Sequence, residues 1–294
     1  MGTARSGGAF RRGEGRRTVS PTDVATIRPG TSALAPVGAL VLGAYLGRIR
    51  GQAGLSVKQT AETLGMSCAA VTEYELGTGT PLGERDLAAL LKLYGRLDES
   101  RYAQALRQHA GEDELRSPTP IPPQCVEALE GGATHLTIFT TRPIPPTLYS
   151  PTLQTYQEQQ VGTLLPAFRP RPDCPITLLL DVAVLFGSLA VPELFTDQLN
   201  WWVELAEAGD LEIRLVPQEM ILPEGVQLVS EITLPRGRRV WIDEALMPAF
   251  STGSAGRWRA NVISRARDEA YGAQESLTGI RDAARALTRA RGPR

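Results

Sequence analysis

Between Ser56 and Gly77 the sequence SVKQTAETLGMSCAAVTEYELG leaves room for two short helices and one tight turn. Two helices this short cross steeply only if the turn residue tolerates a positive φ and the side chain at the crossing is small. Gly65 and Ala61 meet those needs. Six positions after the turn, the β-branched Val71 is placed to lock the second helix onto the first. The Ala-x3-Gly-x5-Val spacing is therefore a packing signature with a mechanical cause. Ser56 and Ser67 stand where N-caps belong, and Gly77, Gly79 and Pro81 end the second helix.

Three further helical patterns surround this pair. Leu42, Leu46, Ile49 and Ala53 recur at spacings of three and four, predicting a helix from Ala39 to a stop at Gly54, with one face turned inward. Leu87, Leu90, Leu91 and Tyr94 predict another that ends at Gly95, and a fifth runs from Glu99 to His109. The stretch Leu34 to Leu46 is apolar, but it is too short to cross a bilayer and is interrupted by Pro36, Gly38 and Gly43.

At this point the chain resembles the XRE-type, phage-repressor-like helix-turn-helix family through GLSVKQTAETLGMSCAAVTEYELGTGTP, Gly54 to Pro81. The Gly-Leu-Ser start, the Ala/Gly/Val spacing and the exit through Tyr74, Glu75, Gly77 and Pro81 carry the likeness, which spans residues 40–95. It implies a helix docked in the major groove of double-stranded DNA, with base edges facing its N-terminal residues. Mapped onto this sequence, those are Ser67, Cys68, Ala69, Thr72 and Glu73, with Arg48, Arg50, Lys58 and Gln59 as candidates for the phosphate backbone. Where the family often carries Gln, Ser, Arg or Lys, this chain has Val57, Cys68, Ala69 and Glu73, so bidentate reading of guanine or adenine is missing. Glu73 can accept from cytosine N4 or repel a phosphate.

The length of 294 residues predicts two domains. Residues 1–38, rich in Gly, Ser, Pro and Arg, read as a disordered basic tail; 39–111 as the all-α, five-helix helix-turn-helix domain; and 112–124 as a Pro-rich linker around SPTPIPP. Residues 125–294 show β-rich runs at His135–Thr140, Ile176–Leu185, Leu211–Val216, Gly225–Leu234 and Arg238–Ile242, the last two forming a hairpin around Pro235–Gly237. A helix over Glu193–Ala208 turns Phe195, Leu199, Trp202 and Ala206 inward, and two more helices close the chain. The expected class of this part is α+β with a small, largely antiparallel sheet.

Here the chain also resembles the uncharacterised domain designated DUF5753 that follows an XRE-type domain in many actinobacterial regulators. The matching stretches are Ile176 to Pro217 and Glu269 to Ile280, with a weaker match at Ile144 to Pro151. The resemblance implies sensing or partner binding, often with a small DUF397-type protein, rather than a defined reaction. Tyr149, Trp201, Trp241 and Trp258 are the ligand or partner candidates, because aromatic side chains pair a large apolar surface with a polar handle. Trp202, on the apolar stripe, is expected in the core.

The net charge of −1 gives no overall pull toward nucleic acid, and residues 39–111 alone sum to about +1, so phosphate attraction per protomer is modest. A homodimer on paired half-sites is therefore expected. Cys68, Cys125 and Cys174 lie far apart with only His109 and His135 to assist, so no metal site and no cofactor are expected, and a cytoplasmic location fits. No nucleophile elbow, dinucleotide fingerprint, P-loop or zinc-protease motif occurs, so no catalytic residue is assigned. Asp181, Glu212 and Asp243 lie in or beside strands without a partner base. The leading expectation is a DNA-binding transcriptional regulator with a possible small-molecule effector. The alternative is a regulator-derived protein that has lost operator binding and works through its C-terminal domain, as a ligand binder or as an unconventional enzyme such as a cyclase.

Overall fold

A computed structural model describes residues 35–116, 124–162, 171, 173–186, 191–218, 226–243 and 248–289. The helical region comprises α1 (Val37–Gln52), α2 (Val57–Leu64), α3 (Cys68–Leu76), α4 (Glu84–Leu93) and α5 (Ser100–Gln108). A 3-10 turn at Leu97–Glu99 precedes α5, so the count of helical segments here is six, against the five expected. After it come β1 (Glu114–Arg116), α6 (Gln124–Gly131), β2 (His135–Thr140), α7 (Pro151–Val161), β3 (Ile176–Asp181), α8 (Pro192–Ala208) and β4 (Glu212–Val216). The chain then forms β5 (Leu228–Leu234), β6 (Arg238–Asp243), β7 (Ala249–Ser251), α9 (Arg257–Glu269) and α10 (Ala273–Arg289). The basic stretch 1–34 and the proline-dense 117–123 lie outside the described residues.

The helix expected to turn one face inward is enclosed instead. Val37, Leu40, Val41, Leu42, Tyr45, Leu46 and Ile49 are all buried, which no single face of a helix can hold, and Ala53, expected inward, is exposed. The reason is that α1 is shared: α3 and α5 pack on it from the helical side, α6 and β1 from the other. Glycines allow the close approach. A Cβ on Gly43 would lie 2.4 Å from the Tyr74 carbonyl oxygen, and one on Gly38 would lie 2.1 Å from that of His109.

The sheet corrects the sequence expectation most. It has seven strands in the order β1-β7-β6-β5-β2-β3-β4 and is mixed rather than small and largely antiparallel. β2, β3 and β4 run parallel, linked by α7 and α8 as crossovers, whereas β5, β6, β7 and β1 are antiparallel. The parallel direction of β2, β3 and β4 was not expected because α7 has a polar, weakly patterned sequence, and β1 and β7, at three residues each, are too short to stand out. The run expected as strand to Leu185 stops at Asp181, whose Oδ1 accepts from the Ala183 amide at 2.7 Å and starts a 3-10 turn over Val182–Phe186. The β5–β6 hairpin forms where expected, its turn held by left-handed φ at Arg236 (66°) and Gly237 (72°).

Alternation along the strands sends side chains to two cores. Leu136, Ile138, Leu178, Leu180, Ile213, Ile232 and Ile242 join the larger one with α8, α10, α6 and α1; Phe139, Leu179, Val216, Val229 and Trp241 meet Val262, Ile263 and Ala266 of α9 on the other face. The fully buried Arg259 of α9 ties the sheet edge together, reaching Glu114 of β1 and the Ser251 hydroxyl of β7, both at 3.2 Å.

Two outcomes follow from these contacts. Gly43→Ala costs about 3 kcal/mol by overpacking α1 against α3, while Gly51→Ala, with open space around it, stabilises by up to about 1 kcal/mol; urea unfolding of both variants checks the contrast. Burial alone raises the Glu114 carboxyl, but hydrogen bonds and charge from Arg116 and Arg259 outweigh it and leave the pKa below the ordinary value. A depressed native pKa gives stability that is complete above the ordinary carboxylate range and is lost as pH falls through the native value. Glu114→Gln should therefore flatten that part of the acid limb in unfolding titrations.

Candidate nucleic-acid interface and ligand cavity

The crossing of α2 and α3 is built as the spacing demands. Ala61 and Val71 are buried at the contact, and Gly65 takes φ +65° at the C-cap of α2. Ser56 and Gln59 form a reciprocal capping box, which uses the Gln59 side chain on the Ser56 amide at 2.8 Å. Ser67 caps α3 by accepting from the Ala70 amide at 3.0 Å. With Val71 inward, Ser67, Cys68, Ala69, Thr72 and Glu73 form an exposed outer face of α3, uncovered by the sheet region.

The cations are placed differently from one another. Arg50 is held by a two-point pair with Glu75 at 2.5 and 2.9 Å and donates to the Leu55 carbonyl at 2.6 Å. The Glu75 hydrogen bond, opposed by burial, raises the Arg50 pKa further. Arg48 pairs with Glu127 of α6, so it links the helical region to the sheet region. Lys58 alone of the named cations lies in the open, with Glu62 one turn on at 3.8 Å. A contact with no local sequence signal comes from the hairpin: Arg238 donates to the Leu76 carbonyl at the C-terminus of α3 and, at 3.2 Å, to the Pro235 carbonyl.

The aromatic candidates do not converge. Trp241 is buried against α9 and donates to Glu231 at 2.8 Å; Trp258 carries the Arg259 guanidinium over its ring at 4.4 Å. Trp201 is half-buried on α8 with its indole nitrogen enclosed and without a partner among the described residues, while Trp202 is fully buried and donates to the Leu148 carbonyl at 3.0 Å. Tyr149 alone faces a cavity, of about 630 Å³, beyond the carboxyl ends of the three parallel strands. Thr141 to Ile144 follow β2 into it, Val184 and Phe186 follow β3, and Gln218 follows β4. Burial pushes the Tyr149 phenol up, so it stays neutral at physiological pH.

The carboxylates are dispersed. Asp181 is committed to its turn, Asp243 approaches Arg259 at 3.9 Å, and Glu212 is exposed at the start of β4. Among the described residues no group of three or more His, Cys, Asp or Glu could hold a metal ion, and no helix is long and apolar enough to cross a membrane.

A family model described as a helix-turn-helix domain matches residues 41–111, from the second turn of α1 to just beyond α5. Residues 41–111 are thus a helix-turn-helix domain. No curated protein and no solved structure matches the chain.

The exposed Cys68 makes the outer face of α3 chemically addressable. Burial, then the nearby Glu99, pushes the Cys125 thiol up to about 12 against the opposing charge of Arg48, and burial also raises Cys174. In the folded protein Cys68 should react with a thiol reagent at least about tenfold faster than either. Peptide mapping after brief alkylation would identify it, and fast labelling of Cys125 would contradict the packing of α6.

Proposed function

We propose that this protein is a DNA-binding transcriptional regulator of the XRE type acting in the cytoplasm, with the outer face of α3 as its major-groove reader. The observation that carries the reading is the conjunction of a helix-turn-helix domain with an α3 whose Ser67, Cys68, Ala69, Thr72 and Glu73 all face outward. Thr72 offers a methyl to thymine and Glu73 an acceptor to cytosine N4, so readout is sparse and pyrimidine-weighted. Lys58 supplies backbone charge. With so few cationic contacts, a homodimer on two half-sites is part of the proposal. The DUF5753-like sheet region serves as the responsive part, through a small-molecule effector or a DUF397-type protein partner, and the reading assigns it no reaction.

One observation favours a second reading. Arg48 and Arg50, the two arginines offered for the phosphate backbone, are held by Glu127 and Glu75, which leaves Lys58, with Glu62 beside it, on a surface that also carries Glu73. Such a surface fits a protein that kept the architecture and lost the operator.

The two separate in one experiment. Genome-wide recovery of DNA with the tagged protein, then titration of the best fragment at two salt concentrations, should show a specific site. Lys58→Ala should lower the log-log salt slope by about 1 per protomer without changing sequence preference, whereas Thr72→Ala and Glu73→Ala should change the preference. Absence of any retained fragment at low salt would establish the second reading.

A further inference from the structure

We infer that the cavity beyond the carboxyl ends of β2, β3 and β4 binds a small organic acid, a single carboxylate on an aromatic or branched-aliphatic body. As an effector site this rests on the regulator reading; as a binding site it stands by itself. Parallel strands end with backbone groups and connecting loops pointing one way, which makes their carboxyl ends the usual place for ligands in sheets covered by helices. Here both faces of the sheet are filled, by α9 on one side and by α8 and α10 on the other, so the strand ends hold the open concavity. Its volume of about 630 Å³ suits one small molecule.

The lining decides the class. Tyr149, Phe195 and the 86% exposed Phe186 supply aromatic surface that water solvates poorly. Arg142 is the one charged group among the described lining residues, and no carboxylate among the described residues pairs with it. Acids beside the lining residues are engaged elsewhere: Asp181 accepts from the Ala183 amide and Asp197 from the Ser150 hydroxyl, both at 2.7 Å, and Glu158, next to Gln157, accepts from Gln154 at 2.9 Å. Among the described residues a cationic ligand would meet Arg142 with no lining carboxylate to offset it, and a dianion would find one guanidinium where two are wanted. A single carboxylate balances the site and takes the two-point hydrogen bond that a guanidinium presents. The Thr141 hydroxyl is already bound to the Val226 carbonyl at 3.2 Å, so Gln157 and Gln218 are the groups left to meet a further hydroxyl or carbonyl on the ligand.

The test uses the full chain without DNA. Three acids and their neutral amides, 3-phenylpropionate, indole-3-acetate and 4-methylvalerate with the matching carboxamides, are titrated by ligand-observed NMR and calorimetry. At least one acid should bind in the millimolar range or tighter, and about tenfold or more above its amide, the margin of a charge-assisted hydrogen bond. Arg142→Gln, at an exposed position, should bring the acid down to the amide and leave the amide unchanged. Phe186→Ser should weaken both alike. Failure of every acid to bind, equal binding of acid and amide, or an acid preference that survives Arg142→Gln overturns the inference. Because no DNA is present, a chain without an operator can still pass. Acid binding that leaves the DNA titration unchanged would keep the site and remove its regulatory role.

Discussion

The backbone of α1 lies against the carbonyl ends of two other helices, and the rest of the structure is arranged around that approach. Gly38 meets the end of α5, Gly43 meets Tyr74 and Glu75 in α3, and Gly77, in a left-handed turn, lies against Ala39. Any side chain at these places would drive the helices apart. From Val37 to Leu46 every residue of α1 is apolar, Gly or Tyr, and the half not used by α3 and α5 has to be covered by something else. α6 and β1 cover it. The helix-turn-helix region and the sheet region therefore share the helix between them, and α3 is held from both directions: by α1 along its length and by Arg238 of the hairpin at its last carbonyl.

The same arrangement determines where charge is available. Arg48 leaves α1 on the side of α6 and is taken by Glu127; Arg50 leaves it toward α3 and is taken by Glu75. Both pairs are partly enclosed, where an uncompensated charge would be costly, so these arginines serve cohesion before they can serve a phosphate. A DNA-binding surface built on this frame would rely on shape and a few side chains of α3, with few counterions released and a shallow dependence on salt.

The helix-turn-helix was legible because its geometry is local: Ala61, Gly65 and Val71 fall within eleven positions, and each is required by a contact inside that stretch. Legibility fell where a residue's reason lies far away in sequence. The enclosure of α1 depends on α6 and β1, more than sixty residues on, and the spacing of Leu42, Leu46 and Ile49 shows only one of its faces. The mixed sheet was missed for a related cause. Strand direction is set by what connects the strands, and α7, with Thr152, Gln154, Gln157, Glu158 and Gln160 along a short helix, carries little apolar pattern to announce a crossover. The aromatic candidates scattered because two of the tryptophans answer to buried charges, Trp241 to Glu231 and Trp258 to Arg259, which no spacing displays.

Those buried charges also explain why the open space lies where it does. On the α9 face, Glu231 is enclosed with Trp241, and Arg267 and Arg239 approach it at 3.9 and 3.8 Å; beside it Arg259 binds Glu114 and Ser251. Each member satisfies another, so the face is closed by polar cohesion as much as by packing. On the opposite face the indole of Trp202 and the amide of Gln198 both donate to the Leu148 carbonyl, which pins the turn between β2 and α7 onto α8. That pin holds Tyr149, the next residue, at the rim beyond the strand ends. The hydrogen bonds that make the sheet's two faces solid thus fix the wall of the cavity that they leave open.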